Sequence, residues 1–236
     1  MNAIAVVTAR GGSKRIPHKN IRPFCGRPML CYPLTAALQS GLFAAVMVST
    51  DSPEIAAIAQ KAGAEVPFLR SEATSGDFAS TADVLCEVLE QYAQQGKNFD
   101  TVCCLYPTAP FVTAQRLAEA VHLYESAGAD SLLPVVRYSF PPQRAMVVRG
   151  GALQFQYPEH QFTRSQDLEP IYHDCGQFYL CDTAMLLRTH SLVGARCVPL
   201  ELPEREVQDI DTPSDWELAE MKYKLLHREE SDVPSV

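Results

Sequence analysis

Short β-branched strands alternate with helical stretches over the first 137 residues, and this rhythm restricts the chain to α/β architectures. Ala3–Thr8 is an apolar, β-branched strand. Pro28 reads as the first residue of a helix reaching about residue 39, with Gly41 as its stop. Residues 45–50 form the next strand and close on Asp51; 53–62 is a helix stopped by Gly63. Val84, Leu85, Val88, Leu89 and Tyr92 share one helical face. Residues 101–106 are a strand followed by a Pro107-Thr108-Ala109-Pro110 loop; Leu117, Val121 and Tyr124 mark a further helix, and Ser131–Arg137 a further strand. The pattern predicts a mostly parallel sheet covered on both faces, whose ligands sit beyond the C-terminal strand ends.

Residues 138–170 break the rhythm. They are rich in Pro, Arg, Gln and aromatics, and Gly150-Gly151 separates two β-prone stretches, 145–148 and 152–157. This predicts a hairpin-bearing insertion, a lid or a subunit interface, within one domain spanning 1–236. The tail, 228–236, is polar. A length of 236 residues with 47% hydrophobic residues suits one large core. No apolar run approaches the roughly 18–20 residues of a membrane span, and the start lacks the pattern of a signal peptide, so a cytoplasmic protein is expected. Eight cysteines, two of them adjacent at Cys103-Cys104 within an apolar strand, read as reduced and buried, and no Cys-x-x-Cys pair suggests zinc.

Charge is distributed very unevenly. The first fifty residues hold no carboxylate, and six of the chain's 20 basic residues: Arg10, Lys14, Arg15, Lys19, Arg22 and Arg27. The head carries +6 and the remainder −14, for a net −8. That balance argues against nucleic-acid binding, because most of the surface would repel a duplex. After the first strand comes Arg10-Gly11-Gly12-Ser13-Lys14, a flexible loop offering backbone N–H groups and cations to one compact polyanion. A phosphorylated small molecule is the expected guest; a merely solvated charged loop is the alternative. Neither a P-loop nor a dinucleotide glycine pattern is present, which disfavours NTPases and NAD(P) dehydrogenases.

Three further constellations carry chemistry. In Asp209-Ile210-Asp211, an extended backbone puts both carboxylates on one side, about 7 Å apart by strand rise, with Ile210 turned to the core. Such a pair can share a hard cation such as Mg²⁺. Thr212 then resembles an N-cap with Pro213 at N1 and Asp215 at N3, and Asp211 serving only that cap is the alternative. Around Arg70 and the segment from Gly76 to Asp83, Ser80 or Thr81 suits a helix cap. Arg164-Ser165-Gln166-Asp167 and Tyr172-His173-Asp174-Cys175-Gly176-Gln177-Phe178-Tyr179 combine polar and aromatic groups as a sugar-binding wall does; His173 alone says little.

Together these residues resemble the CMP-sugar synthetases, the cytidylyltransferases that activate sialic acid, Kdo and related keto-sugars. The most specific elements are Ala9-Arg10-Gly11-Gly12-Ser13-Lys14-x-Ile16-Pro17-x-Lys19-Asn20 and Asp209-x-Asp211-Thr212. Within the family the chain is most similar to the pseudaminic acid branch: Arg15 stands where sialic acid enzymes usually have Gly, and Tyr106 where they usually have a sugar-contacting Gln. The resemblance implies a three-layer α/β/α nucleotide-diphospho-sugar-transferase fold, Rossmann-like, with a small dimerisation element at 138–170 and a homodimer. It implies transfer of CMP from CTP to a nine-carbon keto-sugar acid, with Mg²⁺ and release of pyrophosphate. Arg10, Ser13, Lys14 and Lys19 would contact the triphosphate, with Arg10 and Lys19 near the α-phosphate, and Lys14 and the N–H groups of Gly11 and Gly12 on the leaving pyrophosphate. Asn20, Arg70 and Ser80 would contact the cytidine. Asp209 and Asp211 would hold the metal, Asp211 also being a candidate base. Tyr106, Arg164, Gln177 and Tyr179 would lie on the sugar side. Legionaminate or N-acylneuraminate synthetases, and a catalytically silent nucleotide-binding subunit, are the rival readings.

Overall fold

The computed structural model describes residues 1–76 and 78–231, without the side chains of 228–231. Asp77, and the polar tail expected over 228–236 apart from the helical backbone of 228–231, lie outside the described residues. In chain order the strands are β1 (Ala3–Thr8), β2 (Pro23–Phe24), β3 (Arg27–Pro28), β4 (Ala45–Ser49), β5 (Thr101–Leu105), β6 (Ser131–Arg137), β7 (Met146–Arg149), β8 (Ala152–Phe155), β9 (Tyr172–Asp174), β10 (Phe178–Asp182) and β11 (Cys197–Glu201). The helices are α1 (Cys31–Ser40), α2 (Pro53–Lys61), α3 (Glu72–Ser75), α4 (Thr81–Gln94), α5 (Ala114–Ser126), α6 (Thr183–Thr189) and α7 (Pro213–Ser231).

The main sheet has the order β11-β6-β10-β5-β1-β4, with β9 added against β6. Strands β4, β1, β5, β6 and β11 point one way; β10 and β9 run against them. The two-residue period of a strand splits the buried side chains into two cores. Ala5, Val7, Val48, Cys103 and Leu105 pack with Leu34, Ile55, Leu117 and Val121 from α1, α2 and α5. Ile4, Val6, Met47, Val102 and Cys104 pack on the other side with Leu85, Leu89, Tyr92 and Met185 from α4 and α6. Continuous apolar strands are thus buried on both faces, giving the three-layer α/β/α arrangement. Six of the eight cysteines are buried in these layers and all eight are free thiols; burial pushes the Cys104 thiol up to about 12. No helix among the described residues is long and apolar enough to cross a membrane.

A third apolar cluster joins Ile16 of the basic loop to Ile210, and both to Phe24, Met29, Tyr32, Phe111, Trp216 and Ala219. Ile16 and Ile210 are each 1% exposed. These contacts bring residue 16 and residue 210 together across nearly the whole chain, which carries the basic loop to the Asp209–Asp211 segment.

Two expectations change. The helix expected from Pro28 starts three residues later, at Cys31. The reason is local: Met29 N donates to Arg22 O at 3.1 Å and Leu30 N to Asn20 O at 2.8 Å, while Pro28 pairs with Pro23 in the β2–β3 ladder. Those amides serve the loop rather than a helix. Gly41 does end α1, in the left-handed region at φ 64°. Second, Phe178–Asp182 is a central antiparallel strand, where a binding wall alone was expected. Phe178 and Leu180 face one core, Tyr179 and Cys181 the other.

The insertion holds the hairpin. Strands β7 and β8 pair Met146 with Phe155 and Val148 with Leu153, around Gly150 and Gly151, both at positive φ. It forms its own two-stranded sheet, separate from the main one.

Candidate active site at the strand ends

Strands β1, β4 and β5 are parallel and end at one edge, which gathers three loops there. Strand β10 runs the other way, so its first residue, Phe178, lies beside Leu105 at the same edge. Tyr106 N donates to Gln177 O at 2.8 Å and locks that junction.

The loop after β1 is ordered by hydrogen bonds that use its glycines and its asparagine. Gly11 N donates to Asp51 Oδ1 at 2.8 Å, and Ser13 N to Gly11 O at 3.1 Å. Buried Asn20 donates through Nδ2 to Arg10 O at 2.8 Å, while its own carbonyl accepts from Leu30 N. Between them the chain turns at His18, in the left-handed region at φ 53°. The result is a cleft of about 640 Å³. Arg10, Ser13, Lys14, Arg15, Lys19 and Asn20 form one wall, and Tyr106, Pro107 and Thr108 the other.

Asp211 lies at the rim. Lys19 Nζ donates to Ile210 O at 2.6 Å and stands 3.5 Å from Asp211 Oδ1. Arg15 Nη1 is 2.8 Å from Asp211 Oδ2. The cap of α7 is made by its neighbours: Asp215 Oδ2 accepts from Thr212 N at 2.7 Å and Thr212 Oγ1 at 2.8 Å, and Thr212 Oγ1 accepts from Asp215 N at 3.3 Å. These bonds hold the Asp215 carboxyl below its ordinary range. Asp211 contributes only its backbone N–H to that cap, at 3.1 Å from Asp215 Oδ2. Its carboxylate therefore faces the basic loop. Asp209 is exposed, and among the described residues no group of three or more His, Cys, Asp or Glu side chains converges as a metal cage.

Arg70 stands behind the cleft, pinned to the end of β4. Its Nε donates to Ser49 Oγ at 3.0 Å and its Nη2 to Ser49 O at 2.7 Å. Burial lowers its pKa most; Asp51 and Glu87 oppose that, and Arg10 adds to it. Ser80 is the N-cap of α4 in a reciprocal capping box with Asp83, the role its spacing suggested. The next residue reaches the cleft wall, with Thr81 Oγ1 3.4 Å from Tyr106 OH. Tyr106 and Tyr179 meet edge to face with ring centroids 5.4 Å apart. Tyr179 OH donates to Asp174 Oδ2 at 2.6 Å, and Gly176 N donates to Asp174 Oδ1 at 2.8 Å. Burial first, and Asp174 second, push the Tyr179 hydroxyl well above its ordinary pKa.

Of the residues expected from sequence, Arg10, Ser13, Lys14, Lys19, Asn20 and Tyr106 line the cleft. Gly11, Tyr179 and Asp211 adjoin it through the bonds above, whereas Arg70 is held on Ser49 at the end of β4 and Ser80 bonds only to Asp83, with its neighbour Thr81 reaching Tyr106. Gly12 is exposed, with open space where a Cβ would sit. Buried Gln177 turns its Nε2 away, to Glu206 O at 2.6 Å, and supports the strand end. Arg164 is exposed within the insertion and does not line the cleft. Ser49 and Asp51 were not singled out beforehand as site residues; their only sequence signal is their place at the end of β4.

Another hollow, of about 490 Å³, lies between α1, α5 and α7. Its cations are engaged: Arg116 is paired with Glu206 and Glu119, and Arg27 with Thr35.

Comparison with known proteins agrees with this geometry. A family model described as Cytidylyltransferase matches residues 4–183. A pseudaminic acid cytidylyltransferase of Campylobacter jejuni is 37% identical over 228 residues, covering 96% of this chain and 98% of the relative. A CMP-N,N'-diacetyllegionaminic acid synthase of Legionella pneumophila is 35% identical, covering 95% and 97%. The fold is shared with a solved CMP:2-keto-3-deoxy-manno-octonic acid synthetase complexed with CTP, at a TM-score of 0.69 and 20% identity over 97% of this chain and 100% of that one. With the matched family model spanning both the basic loop and the strand ends that frame the cleft, the chain belongs to the cytidylyltransferase family.

Proposed function

We propose that this cytidylyltransferase transfers CMP from CTP to the anomeric oxygen of pseudaminic acid, a nine-carbon keto-sugar acid, and releases pyrophosphate. The observation that carries the reading is the cleft itself: four cations and ordered loop backbone on one wall, Tyr106 on the other. The basic wall suits a triphosphate; the aromatic wall suits a sugar ring. Tyr106 stands where sialic acid enzymes usually carry Gln, and relatives named for pseudaminic acid are 36–37% identical to this chain. The 35% identity to a legionaminic acid synthase supports the second reading, a CMP-legionaminate synthetase.

The chemistry follows from placement. The anomeric oxygen attacks the α-phosphorus in line and pyrophosphate departs, so negative charge grows on the phosphoryl oxygens and the leaving group. Arg10 and Lys19 face the α-phosphate and Lys14 the pyrophosphate. Fixed cations stabilise that charge without reorganising during the step. Arg10 is steadied through its carbonyl by Asn20, and Lys19 through Ile210 O. Arg70 and Ser80 serve the cytidine side.

The donor set of Asp209 and Asp211 fits Mg²⁺, which takes one or two protein carboxylates and fills its remaining positions from phosphates and water. When bound there, the ion supplies charge neutralisation for the phosphoryl oxygens and the leaving group. Arg15 and Lys19 stand against the same Asp211 carboxylate and balance its charge. The protein acts as a homodimer through the hairpin insertion, whose exposed apolar face is otherwise unexplained.

The test is pyrophosphate release from CTP with a panel of keto-sugar acids. Pseudaminic acid is expected to give the highest kcat/KM, with legionaminic and N-acetylneuraminic acids lower. Preference for either of the latter would reassign the substrate, and release with none of them would sink the transferase reading.

A further inference from the structure

We propose that Asp51 is a positioning residue: it orders the phosphate-facing loop by holding the backbone of Gly11, without touching the nucleotide. The inference rests on the nucleotide-site reading above. Its basis is the end of β4, where three consecutive residues anchor two separate parts of the site. Ser49 O accepts from Ala9 N at 3.0 Å and from Arg70 Nη2 at 2.7 Å, so one buried carbonyl ties the loop entry to the cytidine-side arginine. Arg70 N donates to Thr50 O at 2.8 Å. Asp51 Oδ1 then accepts from Gly11 N at 2.8 Å, across 40 residues of sequence.

That approach is close. A Cβ on Gly11 would lie 3.3 Å from Ser52 Cβ and 3.7 Å from Asp51 Oδ1, whereas one on Gly12 would meet nothing within 4 Å. Gly11 is thus the glycine whose missing side chain lets the loop dock on β4, and Asp51 is the group it docks against. A carboxylate near Arg70, bonded to the backbone of the phosphate-facing loop, opposes an incoming triphosphate. Its charge is a liability at this place, so its contribution lies in the oxygen that accepts from Gly11 N and fixes the loop. Orientation and charge can therefore be separated: Asp51→Asn keeps the accepting oxygen and removes the charge, while Asp51→Ala removes both.

The experiment measures tryptic cleavage after Lys14 and Arg15 without nucleotide, alongside steady-state kinetics for CTP, on both variants and the wild type. Asp51→Ala is expected to be cleaved roughly tenfold faster and to raise KM for CTP by roughly tenfold, with kcat within about threefold, as fits loss of pre-ordering. Asp51→Asn is expected to match the wild type in cleavage and to bind CTP equally well or more tightly. If Asp51→Ala does not fold, Asp51→Ser, whose side chain is too short to restore the bond, replaces it. Wild-type cleavage in the variant lacking the acceptor would overturn the proposal, as would an Asp51→Asn protein as impaired as Asp51→Ala. A loosened loop with unchanged KM for CTP would instead show that the nucleotide binds elsewhere, and would overturn the site reading beneath it.

Discussion

The Asp211 carboxylate faces two cations of the basic loop, 2.8 Å from Arg15 Nη1 and 3.5 Å from Lys19 Nζ. Two neighbouring carboxylates repel when no cation sits between them, so the Asp209-Ile210-Asp211 spacing taken alone predicts that removing one charge leaves stability unchanged or raises it. The structure changes that expectation, because the loop supplies opposite charges. Asp211→Asn keeps the shape and leaves the Thr212–Asp215 cap intact. Lost pairing at this partly exposed site is worth about 0–1 kcal/mol, so the melting temperature should fall slightly, by roughly 0–4 °C. Turnover should fall far more, by roughly 10²–10³-fold, the scale of losing ~3–4 kcal/mol of preorganised charge stabilisation. Thermal melts and pyrophosphate assays on the one variant decide it; full turnover with a large drop in melting temperature would make Asp211 a purely structural residue.

Elements were legible where their periodicity was undisturbed. The apolar runs of β1, β4 and β5 agree with their expected bounds to within a residue, and the residues expected on single helical faces, Val84 to Tyr92 and Leu117 to Tyr124, fall within α4 and α5. The Gly150-Gly151 turn likewise announced the β7–β8 hairpin. Strand β10 was hidden because its buried Tyr179, with its polar neighbours Asp174 and Gln177, looked like ligand chemistry. These groups are hydrogen-bonded to one another or to the backbone, and the strand's burial on both faces is a tertiary fact. The basic loop could be found from composition, but its anchor at Asp51 could not, since one carboxylate 40 residues away carries no motif. The hairpin supplies an element-scale test. Val148 and Leu153 face each other across it at 71% and 63% exposure. Charges there disturb little in a monomer, but they disrupt an apolar contact between two copies. The double variant Val148→Asp/Leu153→Asp should sediment as a monomer with unchanged helical content, and the wild type as a dimer at micromolar concentration. A wild-type monomer, or a dimeric double variant, would remove the hairpin from the interface.

At the scale of the whole molecule, the sheet brings distant sequence to one edge. Residues after β1, β4 and β5 meet there, and the Ile16–Ile210 contact carries the segment before α7 to the same place. The acid-free head and the acidic remainder thereby become a cationic cleft in a molecule of net charge −8. That contrast favours an anion at this cleft, where the proposed reaction cleaves CTP. The most direct measurement is sugar-dependent pyrophosphate release from CTP by the wild type and by Arg10→Ala, assayed side by side with pseudaminic acid. One pyrophosphate per sugar consumed is expected for the wild type, and a rate lower by roughly 10²–10³-fold for the variant. An Arg10→Ala protein that turned CTP over at the wild-type rate would contradict it.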